Sequence, residues 1–239
     1  MNQQTTARAM KITPNSAPGT PNAKRETDKR LGFAWVIGLG GAVAAIIFLA
    51  WLAGEVIEGD TRRFDDWAAT KLHSIASPIL TSLMTGITLL GATRILIVLG
   101  AIALAALLFA RWRREALLFL ITMGGAALLN RVLKLSFQRQ RPQPYFDIVA
   151  PSSYSFPSGH ALLSFCFYGA IAIIVAAHLK RQSHRIIVWT VAAVLVLLVG
   201  ISRIYLGVHY ASDVIAGFTA AFIWLVAVNF AQHIRRKRS

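Results

Sequence analysis

Cysteine occurs once in 239 residues, at Cys166, so no disulfide within the chain is possible; its place inside an apolar run marks it as a small core residue. Charge is scarce too, at 15% Asp, Glu, Lys and Arg against roughly 25% in soluble domains. Acid is scarcer than base, 10 residues against 25, which leaves a net charge of +15. Such a surplus would suit nucleic acid, but the cations lie mainly in short clusters at the ends of apolar runs, as cytoplasmic anchors of membrane helices do. No nucleic-acid partner is expected. Also missing is any set of carboxylates, His or Cys with metal-ligand spacing, so no metal or other cofactor is expected.

What fills the chain instead is apolar sequence, 56% of it. Runs free of Asp, Glu, Lys and Arg, each 15 or more residues long, extend over Leu31 to Gly54, Ser74 to Thr93, Ile95 to Ala110, Ala116 to Asn130, Ala161 to Ala177, Ile186 to Ile201 and Val214 to Gln232. Since about 20 residues cross a hydrocarbon core, the expected fold is all-α, a polytopic membrane bundle of about six helices with short interfacial helices on its outer face.

Residues 1–30, polar and with Pro14, Pro18 and Pro21, read as a disordered cytoplasmic tail, since the apolar run that follows is too long for the core of a cleaved signal. Residues 31–234 form one membrane domain, and residues 235–239 a basic cytoplasmic tail. After the first span, Phe64, Trp67, Ala68, Lys71 and Leu72 recur at helical spacing, which predicts an amphipathic helix on the outer surface. Between Ser74 and Ala110 only Arg94 interrupts the apolar character; the reading adopted is one span there, with Pro78 to Leu90 re-entrant or interfacial. Later spans then alternate so that each inward return meets a basic cluster, Lys180, Arg181 and Arg185 or Arg235 to Arg238. This places both termini in the cytoplasm of a bacterial cell and makes the chain a multi-pass protein of its inner membrane.

Arg131, Lys134, Arg139, Arg141 and Arg203 resist this scheme, because all fall on or near the outer face. Ionisable groups at membrane depth are costly and usually functional. Three stretches gather there. Lys134 and Arg141 are seven apart, two helical turns, with Pro142 ending the helix. Pro157 and Ser158 open another helix, with Gly159 letting a ligand approach exposed N–H groups and His160 beside it. His209 and Asp213, four apart, share a helix face, so Asp213 could hold one imidazole nitrogen and leave the other free to attack. Lysine, arginines and a helix N-terminus around two histidines suit a phosphate. The outer, periplasmic face is the expected side of the chemistry.

Lys134 to Pro142 reads K-x6-R-P, Pro157 to His160 reads P-S-G-H, and Ser202 to Asp213 reads S-R-x5-H-x3-D. This set resembles the three motifs of the type 2 phosphatidic acid phosphatase superfamily, with no departure at any motif position. The resemblance implies an integral-membrane lipid phosphatase in which His209 is the nucleophile that becomes phosphohistidine, Asp213 orients it, and His160 is the general acid. It implies phosphate binding by Lys134, Arg141, Arg203, Ser158 and Gly159, without a metal. Substrates in the family include phosphatidic acid, phosphatidylglycerol phosphate, undecaprenyl pyrophosphate and lipid A phosphates; the partners are therefore a phosphorylated lipid and the bilayer, with oligomeric state open. A phosphotransferase passing the group to an acceptor lipid is the alternative. Arg139 either meets a second phosphate or lipid headgroups or is plain surface charge, and Ser202 has no role that spacing can assign.

Overall fold

The computed structural model describes the backbone of residues 21–146, 148–149 and 151–238, and within these the side chains of residues 36–235. Two compact units divide the chain, residues 1–39 and residues 40–239; every candidate site residue lies in the second. Among the described residues all regular structure is helical: α1 (Pro21–Glu58), α2 (Arg62–His73), α3 (Pro78–Leu89), α4 (Thr93–Phe109), α5 (Arg113–Phe137), α6 (Gly159–His178), α7 (Gln182–Tyr205) and α8 (Ala211–Arg238).

Five helices are long and apolar enough to cross a bilayer: α1 from Val36 onward, α5, α6, α7 and α8. The region from Ser74 to Ala110 supplies a sixth crossing only as a bent pair, α3 and α4 meeting at 49°. α3 starts where Ser77 accepts the Leu80 N–H at 3.3 Å and Pro78 takes the first turn, where its missing N–H costs nothing. α4 restarts after Ala92, whose backbone is extended. A separate short helix beginning at Pro78 matches the expected element, and the bent pair fits either a broken span or a re-entrant segment.

Three boundaries differ from expectation. Helix begins at Pro21 rather than Leu31, because Pro is tolerated in a first turn and Ala23 to Arg30 is rich in good helix formers; the tail reading for residues 1–20 lies outside the described residues. At the other end α8 continues to Arg238, so the basic residues 235–238 extend the last helix. α5 stops at Phe137, five residues before Pro142: Gln138 turns left-handed at φ 46° and its N–H closes on the Lys134 carbonyl. Arg141 also precedes a proline, which disfavours helix at that residue.

α6 is the centre of the bundle. The apolar window of this helix is 61% buried, against 17% for α1, and it packs on α5, α7 and α8. Its inward residues Leu162, Cys166, Phe167, Ala170 and Ile174 join Phe119, Ala126, Ala220 and Leu225 in the main apolar core. Cys166 is a free, buried thiol among them. The outer helices show apolar side chains instead, such as Trp51, Leu120 and Val194, as a lipid-facing surface requires.

Small residues let the helices meet closely near the start of α6. A Cβ on Gly217 of α8 would stand 2.8 Å from the Ser158 carbonyl oxygen. α2 rests on α7 and α8, and α3 rests on α7. The short helices α2 and α3 therefore cover the segment joining α7 to α8, where His209 lies.

Candidate active site

The five-residue connection from α7 to α8 is tightly tied. The Val208 and His209 N–H groups both donate to the Arg203 carbonyl, at 3.2 and 3.3 Å. Gly207 adopts φ 69°, and Tyr145 occupies the space that a side chain there would need. α8 begins two residues beyond His209, which places Asp213 in its first turn.

His209 is 3% exposed. Its Nδ1 lies 3.3 Å from Asp213 Oδ2, and its Nε2 lies 3.0 Å from an Arg141 guanidinium nitrogen. A carboxylate can only accept, so Nδ1 carries the proton and Nε2 presents its lone pair. Burial pushes the His209 pKa down to about 4, although the Asp213 hydrogen bond and charge work the other way, so the ring is neutral near pH 7.

Arg141 reaches the same point from the chain after α5. It also donates to the Val208 carbonyl at 2.7 Å and to Ser153 and Tyr154. Lys134, in the last turn of α5, donates to the carbonyls of Tyr154 and Ser155. Arg203 is buried in α7; one guanidinium nitrogen donates to Thr88 Oγ1 at 2.6 Å, while its Nε is buried with no hydrogen-bond partner. A buried donor left unpaired is costly, and an anion is the natural acceptor for it.

His160, second residue of α6, is half-buried and lies within electrostatic reach of Arg203, His209, Arg141 and Lys134. Its ring borders Gly91 in the α3–α4 bend, where an added Cβ would come 3.3 Å from Cδ2. Ser158 caps α6 by accepting the Ala161 N–H at 3.5 Å, as a helix start requires. Its own N–H is donated to the Asp213 carbonyl at 2.9 Å, so the hydroxyl proton is what Ser158 retains for a ligand. Gly159, at the first position of α6, has an N–H without an acceptor one turn back. Ser202 is fully buried and donates to the Val199 carbonyl at 2.6 Å within its own helix.

The three stretches thus meet, although Lys134 and Arg141 arrive from a helix end and an extended segment rather than from two turns of one helix. Arg139 points elsewhere than expected. It is neither surface charge nor a free cation, because its guanidinium is shared among Asp213 Oδ1 at 2.7 Å, Asp65 Oδ2 at 2.9 Å, Ser212 Oγ at 2.8 Å and Thr61 Oγ1 at 3.2 Å. It also lies over the Tyr210 ring, 4.1 Å from its centroid. Burial opposes its charge, yet the two carboxylates outweigh that and raise its pKa.

Asp65 escaped sequence reasoning altogether, standing as one acid in a run of acids. At the start of α2 Phe64 and Trp67 are exposed while Thr61 and Asp65 are buried, so this helix enters the protein with an acid as well as with Leu72, which packs on Tyr205, Leu206 and Val208. A helix that turns aromatics outward and an acid inward suits a site cover lying at a lipid surface. The available signal was the spacing of Thr61 and Asp65, four apart and so neighbours on one helix face.

Among the described residues, no three His, Cys, Asp or Glu side chains converge as a metal-holding group. A multi-pass helical bundle with a buried His–Asp pair among three cations defines a class, membrane proteins built to handle a phosphate. The sequence profile of the PAP2 superfamily matches residues 115–237. Phosphatidylglycerophosphatase B of Bacillus subtilis is 38% identical over 198 residues, 82% of this chain and 97% of its own. Lipid A 1-phosphatase of Rhizobium johnstonii is 34% identical over 136 residues, 52% of this chain and 51% of its own. The crystal structure of a transmembrane PAP2 type phosphatidylglycerolphosphate phosphatase from Bacillus subtilis superposes with a TM-score of 0.74 at 37% identity, over 81% of this chain and 96% of that one. The chain belongs to the PAP2 superfamily and is a membrane-integral phosphatase of that type.

Proposed function

We propose that the protein hydrolyses a phosphomonoester or pyrophosphate of a membrane lipid through a phosphohistidine on His209, without a metal, at the periplasmic face of a bacterial cell membrane. The observation that carries this reading is the His209 ring, held by Asp213 at Nδ1 and facing Arg141 at Nε2. An arriving phosphate takes the Arg141 donors onto its oxygens and frees the Nε2 lone pair beside it.

In the first step Nε2 attacks phosphorus as the bond to the lipid oxygen breaks, and His160 gives that oxygen its proton. Asp213 stabilises the positive charge that develops on the imidazole. Lys134, Arg141 and Arg203 hold the equatorial oxygens, with the unpaired Arg203 Nε finding its acceptor there; the Ser158 hydroxyl and Gly159 N–H add two further donors. In the second step water attacks the phosphohistidine, His160 now accepting its proton, and the N–P bond breaks to release inorganic phosphate. Three cations supply the charge stabilisation that a metal would otherwise provide.

Phosphatidylglycerol phosphate is the first substrate to test, because the relative of that activity aligns along nearly its whole length. The positive clusters at the ends of α6 and α8 support cytoplasmic termini and therefore an outward-facing site. The experiment is phosphate release by the detergent-purified protein, with chelator present, from phosphatidylglycerol phosphate, phosphatidic acid, undecaprenyl pyrophosphate and lipid A. Release that disappears in His209→Ala is expected. Undiminished release by His209→Ala would remove the nucleophile assignment, and activity requiring added Mg²⁺ would remove the metal-free one.

A further inference from the structure

Asp65, which belongs to no motif, joins α2 to the start of α8 through Arg139 and Ser212. Asp65 is 1% exposed, yet each of its carboxylate oxygens is occupied. Oδ1 accepts the Ser212 N–H at 2.8 Å; Oδ2 accepts the Ser212 hydroxyl at 2.7 Å and the Arg139 guanidinium at 2.9 Å. Ser212 is the second residue of α8, so its N–H is one of those a helix start leaves unpaired. Asp65 therefore caps α8 from another helix, 147 positions away in the chain.

Asp213 follows Ser212 directly. Its Oδ1 takes the other Arg139 nitrogen at 2.7 Å, and its Oδ2 takes the Tyr210 N–H at 3.0 Å and faces His209. Two carboxylates share one guanidinium, and one unit of negative charge remains over the three groups. A fixed Oδ1 leaves Oδ2 a single direction, toward the imidazole. Were Asp65 neutral, Arg139 would balance Asp213 alone, and the charge available to an imidazolium would fall.

We infer that Asp65 is a positioning residue for the nucleophile: through Arg139 and Ser212 it orients the Asp213 carboxylate and keeps its charge available to His209. This rests on reading His209 as the nucleophile. Asp65 itself touches none of the phosphate-binding cations in the hydrogen bonds described, and acts at the histidine rather than at the phosphate.

The test separates turnover from phosphate binding in the full-length protein in detergent, with inorganic phosphate as competitive inhibitor. In Asp65→Asn, kcat is expected to fall roughly tenfold to a hundredfold, as misplacement of a catalytic group does, while the inhibition constant of phosphate stays within about twofold. Ser212→Ala buries no unpaired charge and serves as the second variant; its kcat is expected to fall roughly threefold to tenfold with phosphate inhibition again unchanged. An unchanged kcat in Ser212→Ala or in folded Asp65→Asn would overturn the inference, as would phosphate inhibition that weakens in step with kcat. If the wild-type protein releases no phosphate from any lipid, the phosphatase reading fails first and the inference falls with it.

Discussion

Gly217 tests whether the closeness of α6 and α8 is part of the machinery. A Cβ there would lie 2.8 Å from the Ser158 carbonyl oxygen, 3.0 Å from Ala161 Cβ and 3.3 Å from the Leu162 nitrogen. Ordinary contact begins at 3.4 Å, so α8 must retreat by about 0.6 Å from its nearest neighbour. Two of the three neighbours are backbone atoms of α6 and its cap, which no rotamer change can move. Alanine in a helix interior gains about 0.5 to 1 kcal/mol over glycine, whereas overpacking a tight interface costs about 1 to 3 kcal/mol. At the middle of those ranges the overlap outweighs the gain, and Gly217→Ala is expected to be less stable by about 1 kcal/mol.

The functional effect is larger. Gly217 stands one turn after Asp213, whose carbonyl accepts the Ser158 N–H, so the displacement falls on the joint between the His209–Asp213 pair and the His160 helix. Catalytic groups tolerate about 0.5 Å of misplacement, and turnover is expected to fall roughly tenfold or more. Gly124 of α5 is the control: nothing lies within 4 Å of its added Cβ, so Gly124→Ala keeps full turnover and loses no stability. Lipid phosphate release and thermal midpoint in detergent are the measurements. Wild-type turnover and midpoint in Gly217→Ala would refute the argument, because α8 would then have shown that it can shift without consequence.

Burial lowers the His209 pKa from 6.5 to about 4, so as pH falls the unfolded chain takes up a proton that the folded chain refuses. The stability tied to His209 is thus fully present above pH 6.5 and is lost progressively as pH falls from there toward 4; His209→Gln should show a shallower fall of thermal midpoint across that window. Arg139→Ala leaves Asp65 and Asp213 buried without their shared cation and is expected to cost about 3 to 5 kcal/mol, read as a large drop in thermal midpoint; Arg139→Lys, which keeps charge but loses the fork, should fall between.

The membrane helices were legible in the sequence because a hydrocarbon core tolerates almost no charge, so each span announces itself as a gap between charged residues. The same cost made Arg131, Lys134, Arg139, Arg141 and Arg203 conspicuous, and four-residue spacing did so for His209 and Asp213. Less legible was how the chain delivers them. The left-handed turn at Gln138 has no glycine to mark it, and the sequence reading carried the α5 helix on to the nearest visible breaker, Pro142. The early start of α1 was hidden by prolines and polar residues that resemble a tail, although Pro21 is compatible with a first turn.

The invisibility of Asp65 has a different cause. Motif spacing reports residues that share an element or a short loop, whereas Asp65 meets Arg139 across 74 positions and Ser212 across 147. Within its own segment it is one acid among several, and periodicity alone gives α2 an aromatic face without saying which way that face turns. In a soluble protein the aromatic side would have turned inward; at a lipid surface Phe64 and Trp67 can face outward, which leaves Thr61 and Asp65 to enter the protein. Arg139 was seen but misread for the same reason, since a cation is legible from sequence and its partner is not. A charge that the bilayer forbids must therefore be explained by what it neutralises: for Arg139 it is two carboxylates already in the chain, and for Arg141 and Arg203 the proposed function assigns a phosphate brought by the substrate.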